Sequence, residues 1–257
     1  MRDEDTKKDF SNLVKEYQFF QAHSTEHREN MSKLLEMLDS FIRNKTEICI
    51  LDFGGGDGEL LFDLYKSIAN SRLRLKLALL EPVSDYRESA TKKFNEANIE
   101  LSIFDTVDKM PENFADIIIM CHSIYYVPEI QPVLSTIRAC LKENGEAWIV
   151  VANENNDLIK LWAYFFELIK MEIPYHTNHD VELVCTKIFS DIQKKYIASN
   201  FSCQFETKSI QQLMKFLLSN YLEKIPEIEI QRKMSEFIQQ DGCISLVLND
   251  TILQLKK

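Results

Sequence analysis

The stretch Ile48-Cys-Ile-Leu-Asp-Phe-Gly-Gly-Gly-Asp-Gly-Glu59 decides the reading of this chain. An apolar, β-rich run ends at the carboxylate of Asp52, and Gly54, Gly55, Gly56 and Gly58 follow almost at once. The whole chain of 257 residues holds only six glycines, so four in one turn serve a backbone purpose. Glycine adopts φ > 0 without steric cost and lets a ligand approach the main chain closely. A strand, a glycine turn and a helix N-terminus together make a corner suited to a nucleotide. The dinucleotide fingerprint asks for glycine at the first, third and sixth positions. Counted from Gly54, the third is Gly56 but the sixth is Glu59, so the spacing is G-x-G-x-G instead.

A second carboxylate supports the corner. Leu73-Arg-Leu-Lys-Leu-Ala-Leu-Leu80 alternates and then turns fully apolar, as a buried strand does, and it ends at Glu81-Pro82. An acid at the tip of the second strand of a doubly wound sheet accepts hydrogen bonds from ribose hydroxyls, about 20 residues past the glycines. Glu81 lies a little further on, which a long first helix accommodates. The periodicity predicts strands over 47–52, 75–81, 99–104 and 115–121, with helices over 58–69, 85–97 and 130–141. Asn144-Gly145 is expected to turn the chain into a fifth strand over 147–152. Alternation of this kind predicts an α/β, Rossmann-like fold, a mostly parallel sheet with helices on both faces. Residues 10–42 read as helices capping a cofactor-binding core over 47–152, and 153–257 as elements of an acceptor pocket, all in one domain. That last segment is expected to hold helices over 157–171, 209–221 and 227–239 and a strand over 201–207. It closes with strand structure over 244–255, turned as a hairpin at Asn249-Asp250. His176 and His179, flanking Asn178, are expected in a loop with no metal.

Composition narrows the partners. Hydrophobic content of 45% and charged content of 27% suit a soluble globular chain. A formal net charge of −10 without a basic stripe argues against nucleic acid. The six cysteines are scattered, show no C-x-x-C and lie mostly in apolar segments, as reduced core thiols do. No apolar run approaches membrane-spanning length and the first residues are too charged for a signal peptide, so a cytoplasmic chain without a membrane partner is expected. A monomer is expected.

His23-Ser-Thr-Glu-His27 fits H-x-x-E-H, in which two histidines one helical turn apart bind zinc. Such a site needs a distant third ligand, which is not evident, and it stands before a complete nucleotide corner that needs no zinc. No metal is expected; a solvated helix start capped by Ser24 or Thr25 is the plain alternative.

The G-x-G-x-G loop resembles that of class I S-adenosylmethionine-dependent methyltransferases. The His-Ser-Thr-Glu-His string after an aromatic-rich helix, Glu81-Pro82, Ile124-Tyr-Tyr-Val127, Lys160-Leu-Trp162 and Leu248-Asn-Asp-Thr251 together resemble the histamine N-methyltransferase family. The likeness runs from about Tyr17 to Leu255 and weakens over 173–236. It implies S-adenosylmethionine as cofactor, S-adenosylhomocysteine as product, and a small amine or imidazole as acceptor. It implies that the glycines and Glu81 bind the cofactor, with Asp105, Thr106 and Cys121 near the adenine. It implies Glu26 on the acceptor's polar atoms, an aromatic lining from Tyr17, Phe20, Tyr125, Tyr126 and Trp162, and His122 and Asp250 in the pocket. Two positions depart from the family: His122 stands for a glutamine and Asp250 for an asparagine, and both changes alter hydrogen bonding at the acceptor. Each residue has a plainer reading beside the functional one. The tyrosines and Trp162 would serve equally as core, His122 as a structural histidine, and Asp250 as a turn residue. Methyl transfer from a sulfonium is an in-line displacement by a lone pair, so such an enzyme chiefly aligns two groups. Two other functions stay open, an O-methyltransferase with His122 as base and a protein that binds the cofactor without turnover. The Asn/Asp-Pro-Pro-Tyr signature of methyltransferases acting on DNA or glutamine amino groups is absent, since Cys121-His-Ser-Ile124 stands there.

Overall fold

Each apolar run of the first half becomes a strand because it can bury both faces. A computed structural model describes residues 10–68 and 73–257 of the chain. Strand β1 (Glu47–Phe53) is buried at every position but its first. It pairs in parallel with β2 (Arg74–Leu80) on one side and with β4 (Ala115–Cys121) on the other. Strand β3 (Leu101–Phe104) is parallel to β2, and β5 (Leu141–Ala152) is parallel to β4. Strands with neighbours on both sides and helices on both faces need near-continuous apolar sequence, which these runs supply. With β6 (Asp191–Gln204) and β7 (Cys243–Lys256), the strands hydrogen-bond in the order β3-β2-β1-β4-β5-β7-β6. The order reverses at β1, so β1 and β4 flank the switch point of a doubly wound sheet.

The helices are α1 (Val14–His23), α2 (Glu26–Ile42), α3 (Glu59–Ile68), α4 (Ser84–Glu96), α5 (Ile130–Cys140), α6 (Asp157–Leu168), α7 (Asn178–Ile188), α8 (Thr207–Leu218) and α9 (Glu227–Ser235). The expected end of α3 at Ala69 falls outside the described residues. The chain divides into two compact units. One spans Met31–Val151, Thr177–Lys195 and Thr251–Lys257 and carries β1 to β4. Its core is aliphatic, from Ile48, Ile50 and Leu51 of β1 through Ile117 to Met120 of β4, with Trp148 fully buried on β5. The other unit gathers the described residues up to Asn30 with Ala152–His176 and Tyr196–Asp250. Its core is aromatic: the Phe20 ring stacks at 4.7 Å from Phe216 and 5.7 Å from Phe201, and Trp162 lies 5.0 Å from Tyr175. No helix among the described residues is long and apolar enough to cross a membrane.

Four local expectations need correction. Asn144-Gly145 is not a turn before a strand: β5 begins at Leu141 and runs through both residues. The β4–β5 register shifts here, and Asn144 takes φ +63°, so the pair forms a bulge that keeps the strand going. A side chain at Gly145 would stand 2.9 Å from the Lys142 carbonyl oxygen and 3.1 Å from that of Ala115. Asn249-Asp250 is likewise no hairpin; β7 passes straight through, with Asp250 buried. His179 lies on helix α7, not in a loop, because Thr177 and Asp180 form a capping box that starts the helix. Strand β6 also starts well before the expected residue 201, since the polar run Gln193-Lys-Lys195 in its first half breaks the alternation.

Gly145→Ala is expected to destabilise the protein by about 1–3 kcal/mol, read from the urea midpoint at constant m-value. An unchanged midpoint would contradict the bulge geometry.

Candidate functional site

At the end of β1 the glycine turn is held by the next strand. Gly54, Gly56 and Gly58 have φ of +68°, +58° and +74°, a region closed to most side chains. The Gly54 N–H donates to the Leu80 carbonyl (2.7 Å), and the Gly56 N–H donates to the Glu81 carboxylate (2.9 Å). The other Glu81 oxygen accepts the Val83 N–H (2.9 Å), and Arg87 donates to the Glu81 carbonyl (2.8 Å). Burial pushes the Glu81 carboxyl above its ordinary range, and the two backbone donors oppose that rise. Ser123 donates to the Phe53 carbonyl (2.7 Å), tying the end of β4 to the same corner.

The four glycines are not equivalent. A side chain at Gly55 would lie 2.3 Å from an Asp52 carboxylate oxygen and 2.7 Å from Leu79, whereas one at Gly56 meets nothing within 4 Å. Gly56 thus leaves open space in front of exposed main chain, while Gly55 closes over Asp52. Asp52 is 1% exposed, and neither carboxylate oxygen has a hydrogen-bond partner. Burial, then the Glu81 and Asp57 charges, push its carboxyl up to about 7.

Other residues of this unit follow β3 and β4. Asp105 pairs with Lys109 at 2.7 Å, which holds its carboxyl below the usual range, and Thr106 is exposed. Cys121 ends β4 half-buried. His122 takes φ +53°, its N–H donates to the Val150 carbonyl, and its Nδ1 lies 3.3 Å from the Tyr125 hydroxyl. Tyr125 is buried and Tyr126 half-buried, the rings 5.9 Å apart.

In the other unit, two residues from opposite ends of the sequence meet. A carboxylate oxygen of Glu26 lies within 4.8 Å of one on Asp250. Glu26 opens α2, where its N–H donates to the Ser24 hydroxyl (2.9 Å). The chain leaves helix between His23, the last residue of α1, and Glu26, so the two histidines of H-x-x-E-H do not share one continuous helix. His23 Nδ1 instead bonds the Phe19 carbonyl (2.8 Å). Asp250 is fully buried and accepts from the side-chain amides of Asn156 (3.3 Å) and Asn30 (3.4 Å). Tyr17 is 41% exposed, with its ring 5.9 Å from Phe216. The Trp162 indole N–H donates to the Leu217 carbonyl (2.9 Å).

Sequence reasoning missed Asn30 and Asn156. Asn30 follows Glu26 by four positions and so shares its helix face, a signal that was there to use. Asn156 gives no such signal; its side chain also accepts the Leu158 N–H and caps α6.

A family model described as Methyltransferase domain matches residues 21–185, more than half of the chain, and the chain belongs to that family. No curated protein sequence matches it. Among solved structures it is similar to the YcgJ protein of Bacillus subtilis, with a TM-score of 0.57 at 15% identity over 87% of this chain and 97% of that one. It is also similar to a Thermotoga maritima protein described as an S-adenosylmethionine-dependent methyltransferase and possible histamine N-methyltransferase. There the TM-score is 0.53 at 16% identity, over 96% and 98% of the two chains. A third is a Haemonchus contortus phosphoethanolamine N-methyltransferase solved with phosphomonomethylethanolamine and S-adenosylhomocysteine (TM-score 0.51, 16% identity, 88% and 52% covered). The fold is thus the Rossmann-like class I methyltransferase fold, and the protein is an S-adenosylmethionine-dependent methyltransferase. Its residues fit that cofactor: three left-handed glycines, open space at Gly56 and an orphaned buried acid lie at one strand end.

Gly55→Ala is expected to cost about 3 kcal/mol or more, because Asp52 and Leu79 have no room to yield. Gly56→Ala should cost only the left-handed penalty of about 1–2 kcal/mol. Urea denaturation of both variants checks this; the reverse order would contradict the geometry.

Proposed function

We propose that this enzyme transfers a methyl group to a nitrogen of a small amine or imidazole acceptor, histamine-like in carrying a basic nitrogen. The observation that carries the reading is the Glu26–Asp250 approach within 4.8 Å in one unit. Two carboxylates so close, one of them fully buried, make a strongly negative spot. A cationic acceptor suits it. Asp250 is fixed by the Asn30 and Asn156 amides, so its negative charge meets the acceptor in one orientation.

Bound S-adenosylmethionine supplies an electrophilic methyl group on a sulfonium. In this reading the backbone around Gly54, Gly55, Gly56 and Gly58 receives its methionine portion. Glu81 accepts from the ribose hydroxyls, and Asp105, Thr106 and Cys121 border the adenine. The resemblance assigns Tyr17, Tyr125 and Tyr126 to the acceptor's aromatic lining. Phe20, stacked between Phe201 and Phe216, and Trp162, tied to Leu217, support that lining. His122 takes up a proton or orients the acceptor. Its left-handed backbone is a strain of the sort kept at working residues, and the Tyr125 hydroxyl steadies its ring. We place the enzyme in the cytoplasm, a reading supported by six free cysteines, four of them buried, and read it as a monomer.

Glu26→Gln and Asp250→Asn should each lower kcat/KM for cationic acceptors by about 30-fold or more, as loss of one member of a buried charge cluster does. Affinity for S-adenosylhomocysteine should stay within about twofold, since the cofactor corner is untouched. Assays on a panel of biogenic amines, imidazoles and phenols decide between readings. Full activity of the double variant on its best amine would overturn the proposal. A phenol as best substrate would favour O-methylation with His122 as base.

A further inference from the structure

Asp52 is a buried acid that the methyl-transfer reading leaves without a task. Its neighbours across the sheet are apolar, Leu79 on β2 and Ile119 on β4. Gly55 closes over it, and no donor reaches either oxygen. The charged groups that act on it are both acidic: Glu81 at the end of β2, and Asp57 in the glycine turn. Glu81 is itself held by the Gly56 and Val83 N–H groups, and Asp57 pairs with Lys93 of α4 at 2.8 Å. With no donor and no cation of its own, the Asp52 carboxyl is most stable neutral, and its carboxyl is pushed up to about 7. A cation brought to the glycine turn changes that balance.

We propose that Asp52 couples cofactor binding to a proton: it is neutral in the ligand-free corner, ionises when the cationic methyl donor binds, and regains its proton when the product has lost the sulfonium charge. The inference rests on the glycine corner being the methyl-donor site. No bond other than O–H changes; the proton passes to solvent on donor binding and returns from it after transfer. The donor carries a sulfonium that S-adenosylhomocysteine lacks, so a negative Asp52 favours substrate over product. The device selects by charge between two molecules of almost one shape, and it favours the donor.

The linkage has a definite sign. The folded carboxyl titrates above its unfolded value, so it stabilises the ligand-free protein at low pH. That contribution is lost as pH rises towards and through about 7. Donor affinity should move the other way and rise over the same window.

Calorimetry of S-adenosylmethionine and S-adenosylhomocysteine binding at pH 7, in buffers of differing ionisation enthalpy, counts the protons. Wild type should release a measurable fraction of a proton with the donor and less with the product. Asp52→Asn should abolish the difference between the two ligands. Equal enthalpies in all buffers for wild type would overturn the proposal. So would a release that survives Asp52→Asn and disappears in Glu81→Gln. If Asp52→Asn does not fold, difference infrared spectroscopy of wild type decides. Donor addition should remove the carbonyl band of a buried neutral carboxylic acid, and persistence of that band would refute the idea. Binding of the donor with no proton release sinks this inference alone, whereas no binding at the corner would sink the donor-site reading beneath it.

Discussion

The Glu81 carboxylate, with one oxygen on the Gly56 N–H and the other on Val83, ties the end of the second strand to the turn after the first. Each hydrogen bond to a charged group of this kind is worth about 1.5–3 kcal/mol. The turn needs that anchor because three of its glycines sit in the left-handed region, where no regular ladder holds the chain. The parallel pairing of β1 with β2, residue for residue from Glu47–Arg74 to Phe53–Leu80, brings the two strand ends level. The sheet places the corner, and Glu81 fixes its shape.

Beneath the same turn the structure carries an unsatisfied acid at Asp52. Most buried carboxylates of this protein are well provided for. Asp116 is held by Lys142 and the Cys49 N–H, Glu146 by Trp148 and Gln254, and Asp250 by two asparagines. Asp52 is the contrast among the acids, and it stands beneath the glycine turn. A buried acid left unmatched is where function is to be sought.

The first half of the fold was legible because its strands are apolar runs, the first three of them followed by glycine or an acid. Strand β4 falls on the expected 115–121, and the turn after β1 carries left-handed glycines where the G-x-G-x-G spacing lies. Two of the errors share a cause. Asn-Gly and Asn-Asp are strong turn signals locally, but at 144–145 and 249–250 tertiary pairing overrides them. One pair becomes a bulge, and the other a strand position whose acid is gripped from α2 and from the cap of α6. The Glu26–Asp250 approach, with 223 positions (250 − 26 − 1) between the two residues, was expected from resemblance and not from any local pattern. Asn156 could not be read at all, since an asparagine before a helix looks like a cap and nothing more, and here it serves as both. The break at Ser24-Thr25, which separates the two histidines of the zinc-like string, is signalled by its cap residues, and the Glu26 N–H donates to the Ser24 hydroxyl.

Hydrogen exchange with and without S-adenosylhomocysteine tests the central claim most directly, because it asks where the cofactor sits without asking what is methylated. Binding should slow exchange at the amides of Gly54 to Gly58 and of Glu81 to Val83, with Phe104 to Thr106 following. Tight binding that leaves the glycine turn exchanging as fast as before, and protects another segment, would contradict it.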